Sequence, residues 1–242
     1  ELYYAEVAAR TDASSRFGKD HRWGMFWSLG FMWNIKNEAF LKEIEWLTNA
    51  QIKLSTGTSG NSEIPYYDHL ALVAGDANYN DEAGIYPKQS GNEELSWEQT
   101  WANNIGLTLG FFNRVNLNVD FYHKKTTNML MLVPQSYAIT GVGNRWDNIG
   151  AMMNRGVEIA MDGDVIRTKY FTWNLSANVS YNKNKLLELY NGVEEYVNST
   201  TGLKYVVGHP VHEYYMNRYA GVNPANGDAL WYTADGELTT EY

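Results

Sequence analysis

The chain has 242 residues, 44% hydrophobic and 14% aromatic, with a formal charge of -9 and no cysteine. This apolar content excludes general disorder, the acidic balance argues against a nucleic-acid surface built on clustered Lys and Arg, and the missing cysteines exclude disulfide frameworks and thiolate metal sites. The longest candidate for a membrane helix is MLMLV at 129–133, far below the ~18 apolar residues needed, so helical spanning is excluded.

In chain order, a period-two pattern recurs in seven places. Glu1 opens directly onto the strand-like LYYAEVAAR with no basic and apolar leader, as a mature chain or an internal fragment would. Tyr3, Val7 and Ala9 alternate with Tyr4, Glu6 and Arg10. Trp23, Met25, Trp27, Leu29, Phe31 and Trp33 then alternate with Gly24, Ser28, Gly30 and Asn34, a pattern that Phe26 and Met32 blur. A compact connection of helical character (NEAFLKEIEWL) leads to Ala50, Ile52 and Leu54, set against Gln51, Lys53 and Ser55. After a long loop from about Gly60 to Trp97, Ile105 to Phe111 and Val115 to Phe121 alternate around a tight turn at Asn113 and Arg114. Another long loop, from about Val133 to Asn154, precedes Val157, Ile159 and Met161. A short turn then enters the clearest strand, Phe171 to Tyr181, apolar at every odd position and small and polar at every even one. A third long loop runs from about Leu189 to His212, and a weaker eighth strand is expected from about Tyr214 to Val222. No domain boundary interrupts the pattern.

Eleven alternating positions exceed the usual five or six of a soluble strand. At ~3.3 Å per residue they span ~33 Å, or roughly 25 Å along an axis tilted by ~40°, the height of the apolar band of an outer-membrane barrel. Lipid offers no water to unpaired backbone groups, so spanning strands must pair into a closed sheet, apolar outward and polar inward. Trp23, Trp33, Tyr170, Trp173 and Tyr181 sit near strand ends, as interfacial girdles do. A soluble β-sandwich or lipocalin-like barrel would also alternate, but so many Trp and Phe residues on one face would overfill it. The expected fold is therefore all-β: about seven or eight antiparallel strands of a transmembrane barrel, with compact connections on one side and mostly long ones on the other.

Several blocks together resemble the barrel domain of SusC/RagA-type TonB-dependent outer-membrane transporters: RTDASSRFGKDHRWGMFWSLGFMWNIKNEAFL (10–41), LSTGTSGN (54–61), LSWEQTWANNIGLTLGFFNRVNLNVDFYHKKTTNML (95–130), NIGAMMNRGVEIAMDGDVIRTKYFTWNLSANVSYNKNK (148–185) and YAGVNPANGDALWY (219–232). The resemblance covers nearly the whole chain. It implies a non-enzymatic importer of oligosaccharides or peptides in the outer membrane, with a barrel of about 22 strands, a plug, a TonB-binding segment and a SusD-like surface lipoprotein over its mouth. Plug, TonB box and signal sequence are absent from this sequence, and its last residues, LTTEY, lack the alternating final strand expected of a barrel terminus. Residues 1–242 are accordingly expected to be part of one such barrel domain. The rivals are a small eight-stranded outer-membrane barrel with a structural or adhesive role and a soluble carbohydrate-binding module.

Chemical motifs are sparse. His209 and His212 lack a third ligand, and His21, His69 and His123 are isolated. DANYNDE (76–82) imitates a calcium loop but has Asp81 where glycine and Pro87 where glutamate is needed. NPANGD (223–228) reads as a turn and GTSGN (57–61) as a strand exit. Glu93, Glu94 and Glu98 share a loop, but no Ser, His and Asp constellation accompanies them, and neither metal nor cofactor is expected. Given a carbohydrate or peptide substrate, the candidate contacts are the loop aromatics Tyr66, Tyr67, Tyr79, Tyr86, Tyr137 and Trp146.

Overall fold

The computed structural model describes residues 1–198, 202–211, 213–214, 216–233 and 235–241; the side chains of Tyr79 and Asn198 fall outside that description, as do His212 and Tyr242. Seven strands form one antiparallel sheet in sequence order: β1 (Tyr3–Ala13), β2 (Trp23–Asn34), β3 (Leu47–Asn61), β4 (Glu98–Phe111), β5 (Val115–Thr127), β6 (Ala151–Arg167) and β7 (Thr172–Glu188). The seven expected strands are all present, and most run longer than their alternation. In β3, Thr56 and Thr58 follow Ile52 and Leu54 on the same face, so the two-faced pattern fades there while the ladder continues to Asn61. The expected eighth strand does not join the sheet. Glu213–Tyr214 pairs with Leu203–Val206, and Arg218–Val222 pairs with Ala229–Tyr232 across a register shift ending at Gly221 (φ +117°). No strict alternation holds that segment to a two-faced sheet.

The ladder lines up like with like. On one face Ile52, Leu107, Val119, Ile159 and Val179 form one rung, and Leu54, Ile105, Phe121, Val157 and Tyr181 the next. These residues remain open: Val179 is 62% and Tyr181 66% exposed, with Val7 at 76%. A soluble sandwich would lay a second apolar layer on this face, and none lies there among the described residues. Contiguous apolar surface of this extent marks contact with a membrane or a partner. Its margins are aromatic: Trp23 and Trp101 at one end, and at the other Trp46, stacked on Phe111 at 6.0 Å, with Phe112, Tyr170 and Phe171. Among the described residues no helix is long and apolar enough to cross a membrane.

The opposite face is a polar wall. Thr108 donates to Asn118 (2.9 Å), Asn116 to Asp162 (3.0 Å), Asn104 to Ser55 (3.1 Å) and Asn184 to Asn154 (2.8 Å). Tyr122 lies across Gly156, where a Cβ would stand 2.5 Å from the phenol oxygen, and reaches Asn182 at 3.0 Å. Any side chain at 156 would lift that ring. Phe26 and Met32, which blur the alternation of β2, belong to this inner face opposite Arg10 and Tyr4.

Connections at one end are short. Residues 112–114 make a tight turn with Phe112 and Asn113 both at positive φ, closed by Arg114 N–H donating to Phe111 at 2.9 Å. Residues 35–46 hold one 3-10 turn and the short helix Ala39–Lys42, not one continuous helix. Lys36 Nζ caps it through the carbonyls of Leu41, Lys42 and Ile44 (2.7 to 3.1 Å), while Glu38 accepts from Tyr3 (2.8 Å) and Trp33 (3.0 Å). The other end carries residues 14–22, 62–97, 128–150 and the described residues after Glu188.

This two-faced wall makes a direct prediction. Ile159→Arg, in the middle of the apolar face, should lower stability by ~2–4 kcal/mol in lipid, whereas Asn178→Arg on the inner face should cost under ~1 kcal/mol. Denaturant unfolding of the protein reconstituted in lipid vesicles measures both.

Candidate functional site

The long connections gather at one end of the wall around a small core of their own. Phe17, Ile64 and Leu95, one from each of two loops and one from the approach to β4, are buried together, with Trp97, Leu130 and Trp146 packed against them. Trp97 binds the group to the wall: Phe17 and Phe26 meet it edge-on at 5.6 and 5.4 Å, and its indole N–H donates to the Arg22 carbonyl at 2.9 Å. This accounts for an aromatic on the polar face, since Phe26 is 2% exposed beneath Trp97.

Amide side chains tie the loops where their backbones cannot pair. Asn92 donates to the Trp146 carbonyl (3.0 Å) and to Asp147 (3.1 Å). Asn148 accepts from Ser96 N–H (2.6 Å) and donates to the carbonyls of Ser96 and Asn128. Glu98 accepts from Leu130 N–H at 3.1 Å, and Glu94 lies 3.2 Å from His21. Two of the three loop glutamates are thus fasteners between loops.

The sequence-level candidates fall in different settings. Tyr66 is 67% exposed with the Arg16 guanidinium 4.8 Å above its ring. Tyr67, also exposed, has φ +71°, and its carbonyl accepts from Leu70 N–H and the Gln89 amide, both at 2.9 Å. Tyr86 stands on the hairpin Leu72–Tyr79/Glu82–Gln89, and its hydrogen bond to Asp76 pushes its phenol above the usual value. Tyr137 opens the short helix Tyr137–Thr140, exposed on one side and lying over Gly143 on the other. The two segments meet, because Pro87 sits against Gly141 and Thr140 shares a cavity with it. Trp146 packs on the loop core and hydrogen-bonds Asp68. Tyr79 ends the first strand of the hairpin.

The cavity adds residues that the sequence did not mark as ligand contacts. It measures about 430 Å³ and is lined by His69, Leu72, Pro87, Gln89, Glu93 and Thr140, among others. His69 is 8% exposed and its Nδ1 has no hydrogen-bond partner among the described residues. Burial pushes the neighbouring Asp68 carboxyl up, against the opposing pull of the Trp146 hydrogen bond and of His69. A lone histidine between Asp68 and Leu70 carries no spacing signal. Only the folding of 62–97 back on itself, with Asn92 N–H donating to the His69 carbonyl at 3.1 Å, encloses it.

The remaining motifs are local structure. DANYNDE forms a hairpin whose turn residues Asn80 and Asp81 both have positive φ, NPANGD is a turn closed by Gly227 N–H to Asn223 at 2.8 Å, and GTSGN makes the last five residues of β3. His209 lies 3.1 Å from Glu213, while His212 is outside the described residues. Among the described residues no three His, Asp or Glu side chains converge as metal ligands would.

Comparison with known proteins agrees with this architecture. The family model for TonB dependent receptor-like β-barrels matches residues 3–240. TonB-dependent receptor P39 of Formosa agariphila is 38% identical over 188 residues, 77% of this chain and 18% of that protein. TonB-dependent receptor SusC of Bacteroides thetaiotaomicron is 34% identical over 251 residues, 94% of this chain and 24% of that protein. Among solved structures, that of the RagAB peptide transporter superposes over 100% of this chain and 27% of its own, with a TM-score of 0.88 and 37% identity. The chain thus spans about a quarter or less of the length of these curated relatives. With a two-faced wall, one-sided long loops and a match over almost its whole length, it belongs to the TonB dependent receptor-like β-barrel family, a non-enzymatic family of the outer membrane, and is of SusC/RagA type.

Proposed function

We propose that residues 1–242 are part of the barrel domain of an outer-membrane nutrient importer, whose remaining strands, plug and TonB-binding segment lie in a longer protein. The observation that supports this best is the open sheet. Among the described residues no strand pairs with the outer edge of β1, and that of β7 is met only near its loop end, where Leu186 bonds Gly208 and His209; an edge left free in lipid leaves a row of backbone groups without partners. In this reading the wall encloses a wet, plug-filled lumen, and the loop cluster forms part of the extracellular mouth. A SusD-like lipoprotein closes that mouth, and TonB supplies the energy. The substrate is an oligosaccharide or a peptide; the RagAB likeness favours the peptide.

Tyr66, Tyr67, Tyr86 and Tyr137 would offer flat apolar faces to sugar rings or peptide side chains, with Gln89, Glu93 and His69 as neighbouring polar groups. Tyr79 remains a candidate by position, and Trp146 would act by holding the loops. In cells carrying the full-length importer, Tyr66→Ala and Tyr137→Ala should each weaken substrate capture roughly three- to ten-fold, the scale of one aromatic contact. Uptake of labelled oligosaccharide and peptide pools, with and without TonB, is the test. Uptake that persists without TonB would refute the importer reading.

The loop scaffold has its own pH signature. Asp68's folded pKa is raised, so the stability linked to it is greatest below the usual 3.8 and is lost as pH rises through the folded value. Asp68→Asn keeps an acceptor for the Trp146 indole and removes that loss. Hydrogen exchange of residues 62–97 should be slower than in the parent at pH 7 and equal to it below about pH 4.

A further inference from the structure

The outward face carries a second pattern directly above its apolar band. One rung toward the long-loop end from Phe121, Val157 and Tyr181 come His123, Arg155 and Lys183, side by side on β5, β6 and β7. The next rung holds Lys125, Met153 and Lys185. Adjacent strands are ~4.8 Å apart and alternate residues ~6.8 Å apart, so four cations and a histidine share a patch of about 10 by 7 Å. None of the five makes an ion pair among the described residues. Glu188, opposite Ala151, lies beyond a register shift and pairs with none of them, and Glu213, carried in by the segment that bonds Leu186 and Asn184, is engaged with His209 at 3.1 Å.

Like charges set opposite one another across strands repel, and this chain is acidic overall at -9. The concentration is local. At the same level β3 and β4 carry Thr56, Thr58, Asn103 and Trp101, none of them charged. A compensating anion is therefore expected from outside, and the surface below the cations shows its chemistry. Exposed Phe121, Val179 and Tyr181 continue the patch straight into the hydrocarbon-facing band. A free phosphate would use the cations alone, whereas a phosphorylated amphiphile uses both surfaces.

We propose that this patch on β5–β7 binds the phosphate groups of a glycolipid of the outer leaflet, whose acyl chains lie along the apolar strip beneath. The site is separate from the loop cluster and from import; it rests only on the barrel's orientation, with the long loops outside.

The test is native mass spectrometry of the full-length protein from detergent, with bis-phosphorylated lipid A, the same lipid dephosphorylated, and inorganic phosphate as probes. The parent should retain the phosphorylated lipid. Lys125→Gln/Arg155→Gln/Lys183→Gln should weaken it roughly five-fold per cation removed, about 100-fold in all, and Lys125→Arg/Arg155→Lys/Lys183→Arg should keep it. The dephosphorylated lipid should bind parent and triple variant alike. Retention by the Gln variant, loss by the charge-conserving one, or displacement by equimolar inorganic phosphate would each overturn the proposal.

Discussion

An unpaired peptide group in hydrocarbon costs several kcal/mol, and nothing in the bilayer core can take the place of water. The continuous ladder from β1 to β7 answers that constraint, and the rest of the structure follows from it. Pairing fixes the period at two, so every strand must be read as two sequences, one for lipid and one for the interior. The rungs of Ile, Leu, Val and Phe on one face and of Asn, Ser, Thr and Gly on the other are that division carried across the strands. In the proposed barrel the same requirement is met by further strands at the two edges of the sheet.

The ends of the strands are under different rules. At the short-turn end there is little chain to fold, and single side chains such as Lys36 and Glu38 suffice to fix the connections. At the other end the loops leave the wall and need their own means of order in water. Phe17, Ile64 and Leu95 supply a core too small to stand alone, and Trp97 joins it to Phe26. The amides of Asn92 and Asn148 then satisfy loop backbone that no ladder reaches. The exposed aromatics Tyr66, Tyr67 and Tyr137 are thereby carried on a framework instead of on free loops.

Much of the wall was legible in the sequence, because lipid imposes its rule residue by residue: Phe171 to Tyr181 announces both faces without any partner strand. The pattern was unreadable where a second neighbour intervened. Phe26 violates the alternation of β2 for a reason located at Trp97, 71 positions away. β3 outruns its alternation because its upper rungs rise above the apolar band. The segment from Tyr214 to Val222 imitates a strand of the wall but pairs within the loop region. The outward cations are the furthest from view: Lys125, Arg155 and Lys183 lie in three separate stretches, each unremarkable alone, and only the register sets them side by side. His69 is similar, since its enclosure is made by chain folding back from Pro87 to Asn92.

The central claim is that β6 crosses lipid with alternate residues facing hydrocarbon and lumen. Residues 1–242 have no native cysteine, so in the full-length protein, with any cysteine outside them replaced, single cysteines introduced at 157 to 162 and spin-labelled in lipid report it directly. The account predicts oxygen-accessible labels at 157, 159 and 161 and labels accessible to a water-soluble relaxant at 158, 160 and 162. Uniform water accessibility, or the opposite phase, would contradict it.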